Sequence, residues 1–393
     1  MQIFSTARPP SPTAAWLLLL LASLALGFGV RVPSPAFPSA NPYRDPQVYA
    51  EILRLRDTIL AGDYAGARSR CDALEKAHPD LMIPTLGRLL ADTAEMFEQD
   101  NFLEEKPAQA ELDHLAAVSR LISARRTWVY EDYLFLGGAY GGMGLHVSRR
   151  DDYLEAFRLG LIGLYYVSRA DSLDSQPTDS QLAWGIFHYY RGYLAKSLPW
   201  LPVYANDMSQ GLAEIRKAES GLYIGPVATL ALAYVLGRGD KPETALPYST
   251  QLYRRFPDSA LIAIEHGRAL LHNGRYPEAA ALFQSLRLRV PQNTKILYYL
   301  GWTHTYWAVM PGVANPAEHR RTAENSLQLF LAAKPDAVYS SYAQVLLGDL
   351  DLQTQNLPAA KAHYQAALQL NPNYPAAHDR LKLKKGSDPI FNF

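Results

Sequence analysis

The chain has 393 residues, 48% of them hydrophobic, and carries 38 Lys plus Arg against 38 Asp plus Glu. That length and apolar content suffice for a large core, while the balanced charge excludes the positive field that draws a protein to nucleic acid or anionic lipid. One cysteine, Cys71, excludes an internal disulfide.

In chain order, the first feature is an uncharged apolar run after Arg8, from Ala14 to Val30 (AAWLLLLLASLALGFGV). It is shorter than the ~20 residues that span a bilayer comfortably. The expectation is an export signal over 1–30, cleaved at the small residues Ala25, Gly27 and Gly29 or else retained as an anchor. No cysteine follows the run, which excludes lipid attachment at a new N-terminal cysteine. A proline-rich linker occupies 31–45, and helical pattern then runs over 46–384 before a tail at 385–393.

The first hairpin, within 46–80, places Leu55, Ala67, Cys71, Leu74 and Pro79 at offsets 0, 12, 16, 19 and 24. Cys71 stands where a large side chain of a second helix belongs, so a small buried hydrophobe is expected there. Over 81–225 the spacing is irregular, but helical periodicity persists through 83–97, 108–122, 128–147, 151–167, 180–195 and 208–220. The stretch GGAYGGMG (137–144) has the glycine density of a phosphate loop. It lacks the preceding strand and the Lys-Ser/Thr pair of such a loop, and Tyr130, Tyr133, Leu136, Ala139 and Tyr140 lead into it at helical spacing. Close helix packing is therefore expected. Glu104-Glu105 and Asp151-Asp152 read as helix-start or loop acids.

From 226 to 384 the offsets become regular. Ala233, Ala245, Ser249, Leu252 and Pro257 form one set, and Gly267, Ala279, Phe283, Leu286 and Pro291 the next. Gly301, Ala323, Leu327, Phe330 and Pro335 follow with ten extra residues around MPGVANPAEH, and Gly348, Ala360, Tyr364, Ala367 and Pro372 close the series. The glycines and alanines bring two helices close, the large residue fills the space between them and the proline ends the pair. The basic stretch Arg380 to Lys385 reads as a solvated face without a role.

This pattern, with Pro257 and Pro291 34 residues apart, resembles the tetratricopeptide repeat family of the exported bacterial type. The resemblance implies an all-α superhelix of helical hairpins that binds other proteins and is not an enzyme. Segments LGLIGLYYVSRADSL, LAWGIFHYYRGYL and GLAEIRKAESG faintly resemble a wider group of such proteins with members linked to lipid-droplet and inclusion-body handling. No functional residue is carried over from that group.

In the family, positions 2, 5, 9, 12 and 13 of each first helix line a groove that takes peptides. The resemblance places Tyr234, Arg238, Arg268, His272, Lys295, Tyr298, Trp302, Tyr306, Tyr342 and Gln353 there. Such an aromatic and basic strip suits a partner segment with apolar anchors and acidic groups. The histidines, including His188, His304 and His319 beside Glu318, lack metal-ligand spacing, and no Gly-x-Ser-x-Gly elbow occurs. The expectation is thus a non-catalytic scaffold or adaptor without cofactor or metal. It acts on a protein or peptide segment in the bacterial envelope, periplasmic or secreted, or held in the inner membrane by 14–30. Two alternatives accompany it: a membrane-tethered assembly factor, and a small-molecule or glycan binder or enzyme using Trp184, His188, Tyr189, Tyr190 and Arg191.

Overall fold

The computed structural model describes residues 41–99, 106–148, 153–174, 178–196, 207–239 and 241–384. The apolar run 14–30, the linker up to residue 40, the acids at 104–105 and 151–152 and the tail at 385–393 lie outside them. Among the described residues there are seventeen α-helices and no strand, an all-α fold of stacked hairpins. They form two compact units, divided between Leu232 and Ala233.

The first unit holds α1 (Pro46–Leu60), α2 (Tyr64–Ala77), α3 (Ile83–Gln99), α4 (Lys106–Arg125), α5 (Tyr130–Ser148), α6 (Tyr153–Asp171), α7 (Gln181–Lys196), α8 (Asp207–Ala218) and most of α9 (Gly225–Leu236). Asp45 starts α1 by accepting the Gln47 and Val48 N–H groups, with Pro46 already set for the first turn. Cys71 is fully buried in the core beside Leu55 and Leu86. GGAYGGMG lies inside α5. A side chain at Gly137 would meet the Gly163 carbonyl of α6 at 2.8 Å, and one at Gly144 the Ala156 carbonyl at 2.9 Å, whereas Gly141 has open space. The first two glycines thus permit the α5–α6 approach.

Polar stitches close this unit. The Tyr43 hydroxyl donates to Asp132 at 2.7 Å and accepts the Met82 N–H, and Arg126 pairs with Asp132 at 2.5 Å. Glu131 accepts from Asn41, Arg44 and the Tyr223 hydroxyl at 2.8, 2.7 and 3.0 Å. Asp179 accepts three successive N–H groups, from Leu222, Tyr223 and Ile224.

The second unit continues with α10 (Leu246–Arg255), α11 (Ala260–His272), α12 (Tyr276–Arg289), α13 (Lys295–Trp307), α14 (Pro316–Ala332), α15 (Ala337–Gln353), α16 (Leu357–Leu370) and α17 (Pro375–Leu381). Proline sits at the first or second position of α10, α12, α14, α16 and α17, where its missing N–H has no partner to lose. The ten-residue insertion is only partly a loop. Ala308 to Asn315 connects α13 to α14, and the remainder begins α14 at Pro316 with Glu318 in its first turn.

The basic stretch at 380–385 is not simply a solvated face. Arg380 is buried and forks Asp349 of α15 at 2.6 and 2.9 Å. A guanidinium reaching back 31 residues to a buried carboxylate belongs to the core of the unit.

Candidate functional site

The predicted groove residues form one connected strip in the second unit. It begins in the last turn of α9, where the guanidinium of Arg238, just past the helix, lies 3.5 Å above the Tyr234 ring. Arg238 forks Glu265 of α11 at 2.8 and 2.9 Å. One turn further along α11, Arg268 reaches the same carboxylate at 3.2 Å. Burial pushes the Glu265 carboxyl up, but Arg238 and then Arg268 outweigh it and hold it at about 2.

On α13, Lys295 places Nζ 4.1 Å from the Tyr339 ring of α15. The Tyr299 and Tyr339 hydroxyls are 3.5 Å apart. Burial alone would raise the Tyr339 hydroxyl, yet Lys295, Arg268 and Arg238 bring it below the ordinary tyrosine value. His272 meets Trp302 edge-on at 5.2 Å, and burial, then Arg268 and Arg238, push its imidazole down to about 3. It is neutral at pH 7.

From Trp302 the strip continues through aromatic contacts to Tyr298 and Tyr306, from Tyr298 to Tyr342, and from Tyr342 to Tyr374 at 4.9 Å. Tyr298, Trp302, Tyr306, Tyr342, Tyr374 and Arg380 line a hollow with room for little more than one water molecule. Gln353 turns to the Thr305 carbonyl at 3.2 Å.

Four of the ten residues, Arg268, Lys295, Tyr298 and Trp302, are buried, whereas Tyr234, Arg238, His272, Tyr306, Tyr342 and Gln353 keep part of their surface in solvent. Trp302 holds His272 and Tyr306 and Tyr298 holds Tyr342 through ring contacts, while Arg238 rests on Tyr234 and Glu265. Sequence reasoning missed Glu265, Tyr299, Tyr339, Tyr374 and the Asp349–Arg380 pair. The first three lie at helical positions close to those of the family pattern, but their inward direction depends on packing. The last pair joins α15 to α17 and has no local signal.

The middle-segment residues point to different partners. His188 pairs with Glu214 at 2.6 Å, Arg191 with Asp207 at 2.5 Å, and Trp184 donates to Asp171 at 2.8 Å. Tyr189 is buried and Tyr190 exposed. The structure also brings together His304 and His319, whose Nδ1 atoms are 3.0 Å apart with Trp307 stacked on His319. Their 15-residue separation across the insertion hid this contact in the sequence. No cluster of three metal-ligating side chains occurs among the described residues, and none of the described helices is long and apolar enough to cross a membrane.

Residues 230–302 match the family model of the tetratricopeptide repeat. Among solved structures, the TPR domain of P58(IPK) is 15% identical and covers 85% of this chain and 96% of its own, with a TM-score of 0.25. That overlap is too slight to bear on the fold. No curated protein matches the chain. The matched stretch runs from before Tyr234 to Trp302 and takes in α11 and α12, so the likeness to the tetratricopeptide repeat is shown for that part of the second unit.

Proposed function

We propose that the protein is a non-catalytic scaffold or adaptor whose strip from Tyr234 to Tyr342 receives a segment of another protein. The observation that carries this reading is the continuity of the strip, in which the cations Arg238, Arg268 and Lys295 give way to the partly exposed rings of Tyr306 and Tyr342 over successive first helices. Tyrosine and tryptophan offer contact area at low entropy cost, and arginine pairs with acidic groups. The separate partners of His188, Arg191 and Trp184 give the ligand-pocket alternative less support.

The reading extends to an exported protein of the bacterial envelope, periplasmic or secreted, with 14–30 as its signal or, when retained, its inner-membrane tether. The mass of the mature N-terminus distinguishes the two.

The docking test is crosslinking and capture from envelope extract. A chain with Arg238→Ala, Tyr306→Ala and Tyr342→Ala is compared with wild type and with Leu288→Ala, whose side chain is 85% exposed on α12. A protein taken up by wild type and Leu288→Ala and lost from the triple variant is expected. Equal recovery by all three, with the triple variant folded by circular dichroism, sinks the docking reading.

A further inference from the structure

Buried arginines outside the strip have carboxylates of their own. Arg126 lies against Asp132 and Asp80, and Arg380 against Asp349. Within the strip the ratio changes, because Arg238 and Arg268 share the single carboxylate of Glu265. Arg268 is buried, and its Nε has no hydrogen-bond acceptor. A desolvated cation of this kind gains from a counter-charge, since burial removes the water that would otherwise screen it.

The surroundings favour an anion. Lys295 adds positive charge over the Tyr339 ring, and the Tyr299 and Tyr339 hydroxyls stand 3.5 Å apart as hydrogen-bonding groups. The Arg238 side chain, 31% exposed, leaves one edge of the cluster open to solvent. Donors come from three helices, Arg268 on α11, Lys295 on α13 and Tyr339 on α15. Donors from three sides suit the spread oxygens of a tetrahedral anion better than a planar carboxylate.

We propose that Arg268, Lys295 and Tyr339, with Arg238 at the open edge, form a binding site for a phosphate-type oxyanion. The carrier of the phosphate is a phosphorylated segment of the docked partner, a part of the inference that rests on the docking reading; binding of the free anion does not.

The test is calorimetric titration of the full chain with inorganic phosphate and, at equal ionic strength, with acetate. Wild type is expected to bind phosphate at least about tenfold more tightly than acetate, and Arg268→Gln to lose about tenfold or more of the phosphate affinity. Arg287→Gln, on the exposed side of α12, leaves it unchanged. Arg268→Lys keeps the charge and serves if Arg268→Gln fails to fold by circular dichroism; it is expected to weaken phosphate binding measurably. No phosphate uptake by wild type, equal affinity for acetate, or unchanged affinity in the folded Arg268 variant overturns the site. Absence of phosphate uptake with a partner still lost from the triple variant fails the anion site alone. Phosphate uptake with unaltered capture fails the docking reading instead.

Discussion

The hairpins trade volume residue by residue. Gly267 faces the Phe283 ring, which an added Cβ would approach to 2.6 Å; Gly301 faces Leu327 in the same way, and Gly348 faces Tyr364. In the first hairpin the sizes are reversed, with Leu55 at the glycine position and the smaller Cys71 in place of the aromatic. A methyl at position 348 must displace a buried tyrosine ring whose hydroxyl is fixed to Asp349 at 2.9 Å. Gly348→Ala is therefore expected to destabilise the protein by about 1–3 kcal/mol, whereas Gly141→Ala, with open space around it, stabilises it by about 0.5–1 kcal/mol. Urea unfolding of the two variants checks both signs. Sequence showed the role of the repeat glycines, because their fixed offset from a large residue states the packing need. It did not show which of the five glycines in 137–144 matter, since that depends on where α6 crosses.

At the element scale, the turn between the two helices of a hairpin recurs seven residues after the small position. Gly62 and Gly274 adopt φ of 84° and 68° there, and Gln355 holds the same left-handed conformation at 60°. A side chain in that region is disfavoured by about 1 kcal/mol or more. Gln355→Gly is expected to recover part of this, about 0.5–1 kcal/mol, read as a higher midpoint in thermal or urea unfolding; an unchanged or lower midpoint contradicts it. Helix extents were largely legible, as with the expected 83–97 and the observed Ile83–Gln99, because apolar period and caps are local signals. The insertion was less so, because Pro316 and Glu318 serve equally in a loop or in a first helical turn. The strip was legible as far as helix period carries. Arg238, Arg268 and Lys295 follow from the frame, while Glu265 and Arg380 gain their roles from partners on other helices.

Across the molecule, acidic and basic residues balance, so its pH response comes from particular buried groups rather than net charge. Burial holds His304 at about 4, aided by His319, and His266 also at about 4, while His272 lies at about 3, all below the ordinary 6.5. The unfolded chain binds protons at these sites more readily than the folded one, so their contribution is complete above pH 6.5 and lost as pH falls towards 4. Glu265 acts in a lower window: its ion pairs contribute fully above about 4.5 and fade towards 2. Unfolding free energy is expected to fall between pH 6.5 and 4, and His304→Gln to flatten that slope; equal slopes in the two proteins would refute the assignment to His304. The first unit has a different architectural device. Tyr223 touches Tyr49 and Phe135, receives Arg56 on its carbonyl at 2.9 Å and shares Glu131 with Asn41 and Arg44. An open row of repeats frays from its ends, each hairpin leaning only on the next. Here the first described residues, Asn41 to Arg56, are fastened to a loop some 180 positions later, so the described hairpins are closed into a ring of contacts, and none can be added or deleted between them without breaking the clasp.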